Sequence, residues 1–74
     1  MDYIESKKKI DQAYREACLK HPEFPKGIFA QLSILAEEVG EVFKAANEQD
    51  IEGLKQELYQ VGAMVLRVLM NLRE

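Results

Sequence analysis

The chain has 74 residues, of which 10 are basic and 13 acidic, and a single cysteine, Cys18. A chain this short hides only about 60% of its unfolded surface, so it needs regular helices, a metal or a partner subunit. One cysteine excludes an internal disulfide and favours a reducing compartment. The net charge of −3 argues against a nucleic-acid binder. The apolar run from Val61 to Met70 is interrupted by Arg67 and is too short for a bilayer, so we expect a cytoplasmic protein with no membrane partner.

The first predicted helix extends from Asp2 to about Lys20, a stretch without Pro or Gly. Acidic residues precede basic ones by four positions at Glu5–Lys9 and Asp11–Arg15, which supports an exposed helix by a few tenths of a kcal/mol. The segment 21–27 contains two prolines and a glycine and is predicted to be a loop.

A second helix is predicted from Ile28 to about Glu48, and a third begins at Ile51 with Asp50 as its N-cap. Both show apolar residues at alternating spacings of four and three, a heptad pattern. We call these positions the apolar seam: Ile28, Leu32, Leu35, Val39, Val42 and Ala46, then Leu54, Leu58, Val61, Val65, Val68 and Leu72.

Two helices with matching seams and a short turn predict an antiparallel hairpin. The predicted fold is therefore all-α: a single domain over residues 1–74, a three-helix chain with a central antiparallel helical hairpin. Three helices leave one wall of the hairpin uncovered, so we expect the chain to assemble into an oligomeric helical bundle, a homodimer or homotetramer. Gly40 and Gly62 lie within the helices, where close helix approach is the favoured explanation and a substrate against bare backbone the alternative.

Four oxygen-bearing side chains are predicted to share one surface of the hairpin. At 100° per residue, Glu38 and Glu41 lie about 80° and 140° from the seam of their helix. Glu57 and Gln60 lie about 60° and 120° from theirs, in the same rotational sense. Around a turn centred on Gln49, Glu41 is opposite Glu57 and Glu38 is opposite Gln60.

Carboxylates gathered in this way repel one another unless protons or a cation neutralise them. Oxygen ligands without His or Cys suit a hard ion, so the sequence points to Mg²⁺ or Mn²⁺ held by Glu38, Glu41, Glu57 and Gln60. A solvated acidic flank is the simpler alternative.

These residues also suggest a family. Glu37, Glu38 and Glu41, a gap of fifteen residues, then Glu57 and Gln60, within the contexts Leu35–Val42 and Glu57–Val61, resemble the MazG-like all-α nucleoside triphosphate pyrophosphohydrolases. The resemblance covers roughly residues 28–72. It implies a helical bundle, assembled as a dimer or a dimer of dimers, that uses Mg²⁺ to cleave a nucleoside triphosphate into monophosphate and pyrophosphate.

By position, the resemblance implies that Glu38, Glu41 and Glu57 are metal ligands and that Glu37 orients water or assists a second ion. The family has an aspartate where this chain has Gln60, and the lost charge predicts weaker ion binding and lower or absent hydrolysis. A nucleotide-binding module without turnover and a purely structural oligomerisation domain are therefore alternatives to an enzyme.

Three further residues are candidates for binding the triphosphate: Arg67, Lys44 and Asn47. The alternatives are a surface salt bridge for Arg67 and a helix-terminal turn for Asn47.

Aromatic residues near the loop offer a further candidate site. His21 and Pro22, with Phe24 and Phe29, could form the wall of a base-binding pocket, although such residues more often close the end of a small core.

Overall fold

Three α-helices form the computed structural model of the chain, which describes residues 1–72. They are α1 (Tyr3–Lys20), α2 (Ile28–Asn47) and α3 (Ile51–Asn71). Helix α3 packs against both α1 and α2, whereas α1 and α2 do not pack against each other within residues 1–72. The predicted all-α class is confirmed, and the helices begin and end within a residue or so of the predicted positions. No helix in this range is long and apolar enough to span a membrane.

Local capping explains where the helices begin. The Asp2 carboxylate accepts a hydrogen bond from the Glu5 backbone N–H at 2.8 Å and caps α1. The Asp50 carboxylate accepts one from the Gly53 backbone N–H at 2.9 Å, which confirms Asp50 as the N-cap of α3.

The α2–α3 connection reverses the chain at Gln49, which adopts a left-handed conformation with φ of 58°. The Gln49 N–H donates to the Ala46 carbonyl and the Asp50 N–H to the Ala45 carbonyl, each at 3.1 Å. This pair of bonds is the Schellman motif that closes the carboxyl end of a helix. It places the turn at the residue on which the sequence prediction centred it.

The interior of the chain is built from small and polar residues. Six apolar residues are buried, four of them alanines, together with the polar Gln31 and Arg67. Most of the large aliphatic seam residues are instead exposed or half-buried, and Leu58 is 49% exposed. The buried apolar residues are Ala13, Ala17, Ala45, Ala63, Met64 and Val68.

The apolar seams therefore lie at the edge of the contact between the two helices of the hairpin rather than at its centre. On α2, the buried Gln31 and Ala45 lie about 60° and 100° from the seam, and on α3 the buried Met64 lies about 80° from it. The helices are thus rotated so that each seam lies beside the α2–α3 contact and is partly exposed, and of the seam positions only Val68 is buried. Glu38, about 80° from its seam, falls at the contact between α2 and α3 rather than on its flank.

The two helical glycines have different surroundings. A Cβ atom built on Gly62 would lie 3.0 Å from three side-chain atoms of Ile10, so the close approach predicted here is present between α1 and α3. A Cβ atom on Gly40 would meet nothing within 4 Å, so close packing within the chain does not explain this glycine.

Candidate functional site

Carboxylates from α2 and α3 form an acidic cluster at the hairpin contact. Glu38 and Glu57 are half-buried, whereas Glu37 and Glu41 are exposed. The pKa of Glu38 is raised, first by its partial removal from water and then by the negative charges of Glu57, Glu41 and Glu37. Glu57 of α3 and Glu37 and Glu41 of α2 therefore lie close enough to repel Glu38. We refer to Glu37, Glu38, Glu41 and Glu57 as the acidic cluster.

The acidic cluster borders two cavities. Glu41 and Glu57, from different helices, line a cavity of about 150 Å³ near the hairpin turn, and Lys44 lines it with them. Glu38 lines a second cavity of about 250 Å³, whose walls include His21, Phe24 and Arg67. The acidic cluster therefore lies between a cationic group, Lys44, in one cavity and the aromatic ring of Phe24 with Arg67 in the other. An elongated ligand with an anionic part and an aromatic part would match this arrangement.

Gln60 is the exception among the predicted ligands. It lines a cavity of about 180 Å³ between α1 and α3, whose other walls include Lys9, Gln12, Glu16 and Tyr59. By the helical count, it lies about 60° further round α3 than Glu57, so it turns towards α1 while Glu57 faces α2. None of the cavities described for residues 1–72 is lined by both Gln60 and a member of the acidic cluster.

The donor chemistry of the acidic cluster fits a hard divalent cation, because all its members offer carboxylate oxygens. Such an ion would also relieve the repulsion that raises the pKa of Glu38. Within the described residues, however, no three His, Cys, Asp or Glu side chains are gathered closely enough to hold a metal ion. The cluster thus has the right ligand type, and its side chains would have to converge to coordinate an ion.

Arg67, the first of the predicted phosphate-binding residues, is buried, with 6% of its surface exposed. Its Nη2 donates to the His21 carbonyl at 2.8 Å and its Nη1 to the Ala17 carbonyl at 3.4 Å. Its guanidinium lies 4.5 Å from the centre of the Phe24 ring. Arg67 thereby fixes the end of α1 and the following loop onto α3, and it also lines the cavity that Glu38 borders.

The other predicted binding residues lie at the surface. Lys44 is exposed and shares the Glu41–Glu57 cavity, and Asn47 is exposed at the last position of α2. Of the residues proposed for a base-binding pocket, His21 and Phe24 line the Glu38 cavity. Phe29 is 82% exposed.

Gln31 is a buried polar residue to which the sequence reasoning assigned no function. It is 2% exposed, and its Nε2 donates to the Pro25 carbonyl at 2.6 Å while its Oε1 has no hydrogen-bond partner. With Phe24, Lys26 and Asn71, it lines a cavity of about 370 Å³ behind the loop. The sequence around it gave no signal of this role, because only the folded loop brings the Pro25 carbonyl to it.

The fold and the site thus define a small all-α chain with a carboxylate-lined contact between two helices. No protein-family model matches the sequence. No curated protein and no solved structure matches it either.

Proposed function

We propose that the chain is a Mg²⁺- or Mn²⁺-dependent nucleotide pyrophosphohydrolase of the MazG-like kind, acting on a canonical or modified nucleoside triphosphate. The supporting observation is that Glu41 and Glu57, from two different helices, line one cavity, while Glu38 borders the next. The resemblance of this same motif to the MazG-like proteins supplies the reaction type.

Each part of the site has an assigned task in this proposal. Glu38, Glu41 and Glu57 would hold the divalent cation, which neutralises phosphate charge and activates a water molecule when bound. Glu37, exposed beside them, orients the attacking water by accepting its hydrogen bond. Lys44, in the Glu41–Glu57 cavity, attracts the phosphates through its positive charge.

The remaining residues position the nucleotide. Arg67 and Phe24 stack on each other in the Glu38 cavity, where a base has an apolar and aromatic wall to lie against. Asn47, exposed at the end of α2, is close in sequence to Lys44 and offers an amide to the phosphates or sugar.

Gln60 favours a second candidate function, nucleotide binding without turnover. Its amide has no charge to add to the cluster, and its side chain lines the α1–α3 cavity instead of either cluster cavity. A site with one charge fewer binds divalent ions more weakly.

A hydrolysis assay tests the proposal. The purified chain is incubated with Mg²⁺ or Mn²⁺ and a panel of nucleoside triphosphates, and we expect monophosphate and pyrophosphate from at least one. Glu57→Gln should reduce the rate at least about 10-fold, because it removes a charged ligand of the cation, and even changes beyond the ligands cost about 10- to 100-fold in metal affinity or activity. Glu52→Gln, which removes an exposed carboxylate of α3 outside the cluster, is the matched control and should retain the rate.

The alternatives give different results in the same assay. Absence of product from every triphosphate would exclude the enzyme. Calorimetric binding of nucleotide without turnover, with turnover gained in Gln60→Asp, would support the binding module. A structural domain predicts neither binding nor a melting shift with Mg²⁺, together with higher stability in Glu41→Ala and Glu57→Ala.

A further inference from the structure

A polar cavity lies at the end of the hairpin away from the turn, where α2 begins and α3 ends. It measures about 370 Å³ and is lined by Phe24, Lys26, Gln31 and Asn71. Ligand pockets begin at about 300 Å³, so this cavity is large enough for a small molecule. Among residues 1–72, no member of the acidic cluster lines it. We call it the loop cavity.

A buried amide in the loop cavity calls for a hydrogen-bond donor. Gln31 is 2% exposed, and its Nε2 already donates to the Pro25 carbonyl at 2.6 Å. Its Oε1 has no hydrogen-bond partner within residues 1–72. A buried acceptor without a donor costs free energy, so a ligand that donates a hydrogen bond to this oxygen removes that cost.

Asn71 offers a second acceptor in the loop cavity. Its Nδ2 donates to the Arg67 carbonyl at 2.7 Å, so the side-chain atom that remains for a ligand is Oδ1. Asn71 is also the last residue of α3, the end at which the helix dipole is negative. Phe24 adds an aromatic ring, and an ammonium group is attracted to such a ring. These groups together suit a positively charged N–H donor.

The loop cavity also has a positive part. Lys26 carries a cationic amine and lies in the loop just before α2. The N-cap of α2 is Gly27, and no side chain of residues 1–72 caps the helix there. The N–H groups of a first helical turn attract an anion. Because α2 and α3 are antiparallel, the positive start of one helix and the negative end of the other lie at the same end of the hairpin.

We propose that the loop cavity binds a free α-amino acid, a small zwitterion whose two charges match these two sets of groups. Its ammonium donates to the Gln31 Oε1 and the Asn71 Oδ1, and its carboxylate accepts from the Lys26 Nζ. Amide oxygens alone would suit any amine and a lysine alone any anion, so the presence of both selects the zwitterion. The loop cavity is separate from the acidic cluster, so this proposal does not depend on the hydrolase activity.

Calorimetry and thermal melting with the standard amino acids, added one at a time, test the proposal. At least one should bind saturably and raise the melting temperature, because a ligand of the folded chain stabilises it. The N-acetyl and carboxamide derivatives of that amino acid each lack one of its charges. Each should bind at least about 10-fold more weakly, because a charged hydrogen bond contributes roughly this factor. This comparison needs no variant.

Two variants assign the charges of the ligand to their partners. Lys26→Gln should weaken binding of the amino acid at least about 10-fold and remove its advantage over the carboxamide derivative. Gln31→Met should likewise weaken binding and reduce the advantage over the N-acetyl derivative, with circular dichroism to check that the helices are kept. Lys20→Gln is the matched control, because Lys20 is an exposed lysine of α1 that lines none of the cavities described for residues 1–72. It should bind as the wild type does.

Three results would overturn the proposal. The first is that no standard amino acid gives a heat of binding or a melting shift up to millimolar concentration. The second is that acetate or ethylamine alone binds as tightly as the amino acid, which would make the cavity a simple anion or cation site. The third is equal affinity in Lys26→Gln and Lys20→Gln, which would place the amino acid elsewhere on the chain.

Discussion

The two sides of the α2–α3 hairpin differ in the size and polarity of their side chains, with the smaller and more polar side chains on the buried side. The side that packs within the chain holds alanines, a glutamine, glutamates and a buried arginine. The side that faces outward exposes large aliphatic residues of both helices, among them Leu32, Leu58 and Val65. This distribution is the reverse of the usual one, because large apolar side chains gain the most from burial.

The difference separates two sources of stability. Within the chain, small residues let the helices approach closely, and Arg67 and Gln31 fix the loop by donating hydrogen bonds to its carbonyls. We call this packing of the three helices and the loop the inner contact. It is specific but buries little apolar area. The outward side instead leaves a large apolar area exposed. The packing within the chain thus sets the shape of the chain.

Replacing Arg67 should break the inner contact and has the largest expected effect. Arg67→Met keeps an unbranched apolar chain but removes the hydrogen bonds to the His21 and Ala17 carbonyls and the contact with Phe24. Two charged hydrogen bonds and one stacked ring predict a loss of about 3 kcal/mol in the free energy of unfolding, measured by urea denaturation.

Arg15→Met is the control for this change. Arg15 is exposed and pairs with Asp11 at 2.8 Å, an ion pair four residues apart on a helix surface. Its loss should cost less than about 0.5 kcal/mol. Equal losses in the two variants would contradict a structural role for Arg67 in the inner contact.

Alanine substitutions at the two helical glycines compare a packed position with an open one, and their expected effects on stability are smaller. Gly40→Ala should stabilise the chain by about 1 kcal/mol, because alanine favours the helix and its Cβ meets nothing within 4 Å. Gly62→Ala gains the same helix propensity but forces the Ile10 side chain to move from 3.0 Å. Its stability should therefore fall below that of Gly40→Ala in the same denaturation experiment, and the reverse order would argue against close α1–α3 packing.

The helix boundaries could be predicted because their signals are local. Asp50 can cap a helix wherever the chain goes next, and Pro22 and Pro25 interrupt a helix in any fold. The rotation of α2 and α3 about their own axes could not be predicted from such local signals. Periodicity shows that Leu58 and Val65 share a face, but it does not show what that face packs against.

For the candidate site, the sequence likewise predicted which carboxylates share a side of the hairpin but not what packs beside them. The helical count placed Glu38, Glu41 and Glu57 on one side of the seams, and in the structure the charges of Glu41 and Glu57 act on Glu38. The turning of Gln60 towards α1 depends on where α1 packs, which nothing near Gln60 in the sequence specifies. The structural role of Gln31 depends on its hydrogen bond to the Pro25 carbonyl, which the folded loop brings to it.

The smallest expected effect on stability comes from removing the charge of Glu38. Partial burial and the charges of Glu57, Glu41 and Glu37 raise the pKa of Glu38, so the folded chain holds its proton more tightly than the unfolded chain does. Its ionised form therefore costs stability above the raised pKa, and that cost disappears as the pH falls towards the ordinary pKa of glutamate. Glu38→Gln should then stabilise the chain at neutral pH by less than about 1 kcal/mol, because solvent screens these partly exposed charges. The gain, measured as a melting-temperature difference from wild type, should vanish at acidic pH.

Glu16→Gln, which removes a carboxylate of α1, is the control and should show no such gain. A loss of stability at neutral pH in Glu38→Gln would mean that the ionised carboxylate stabilises the α2–α3 contact.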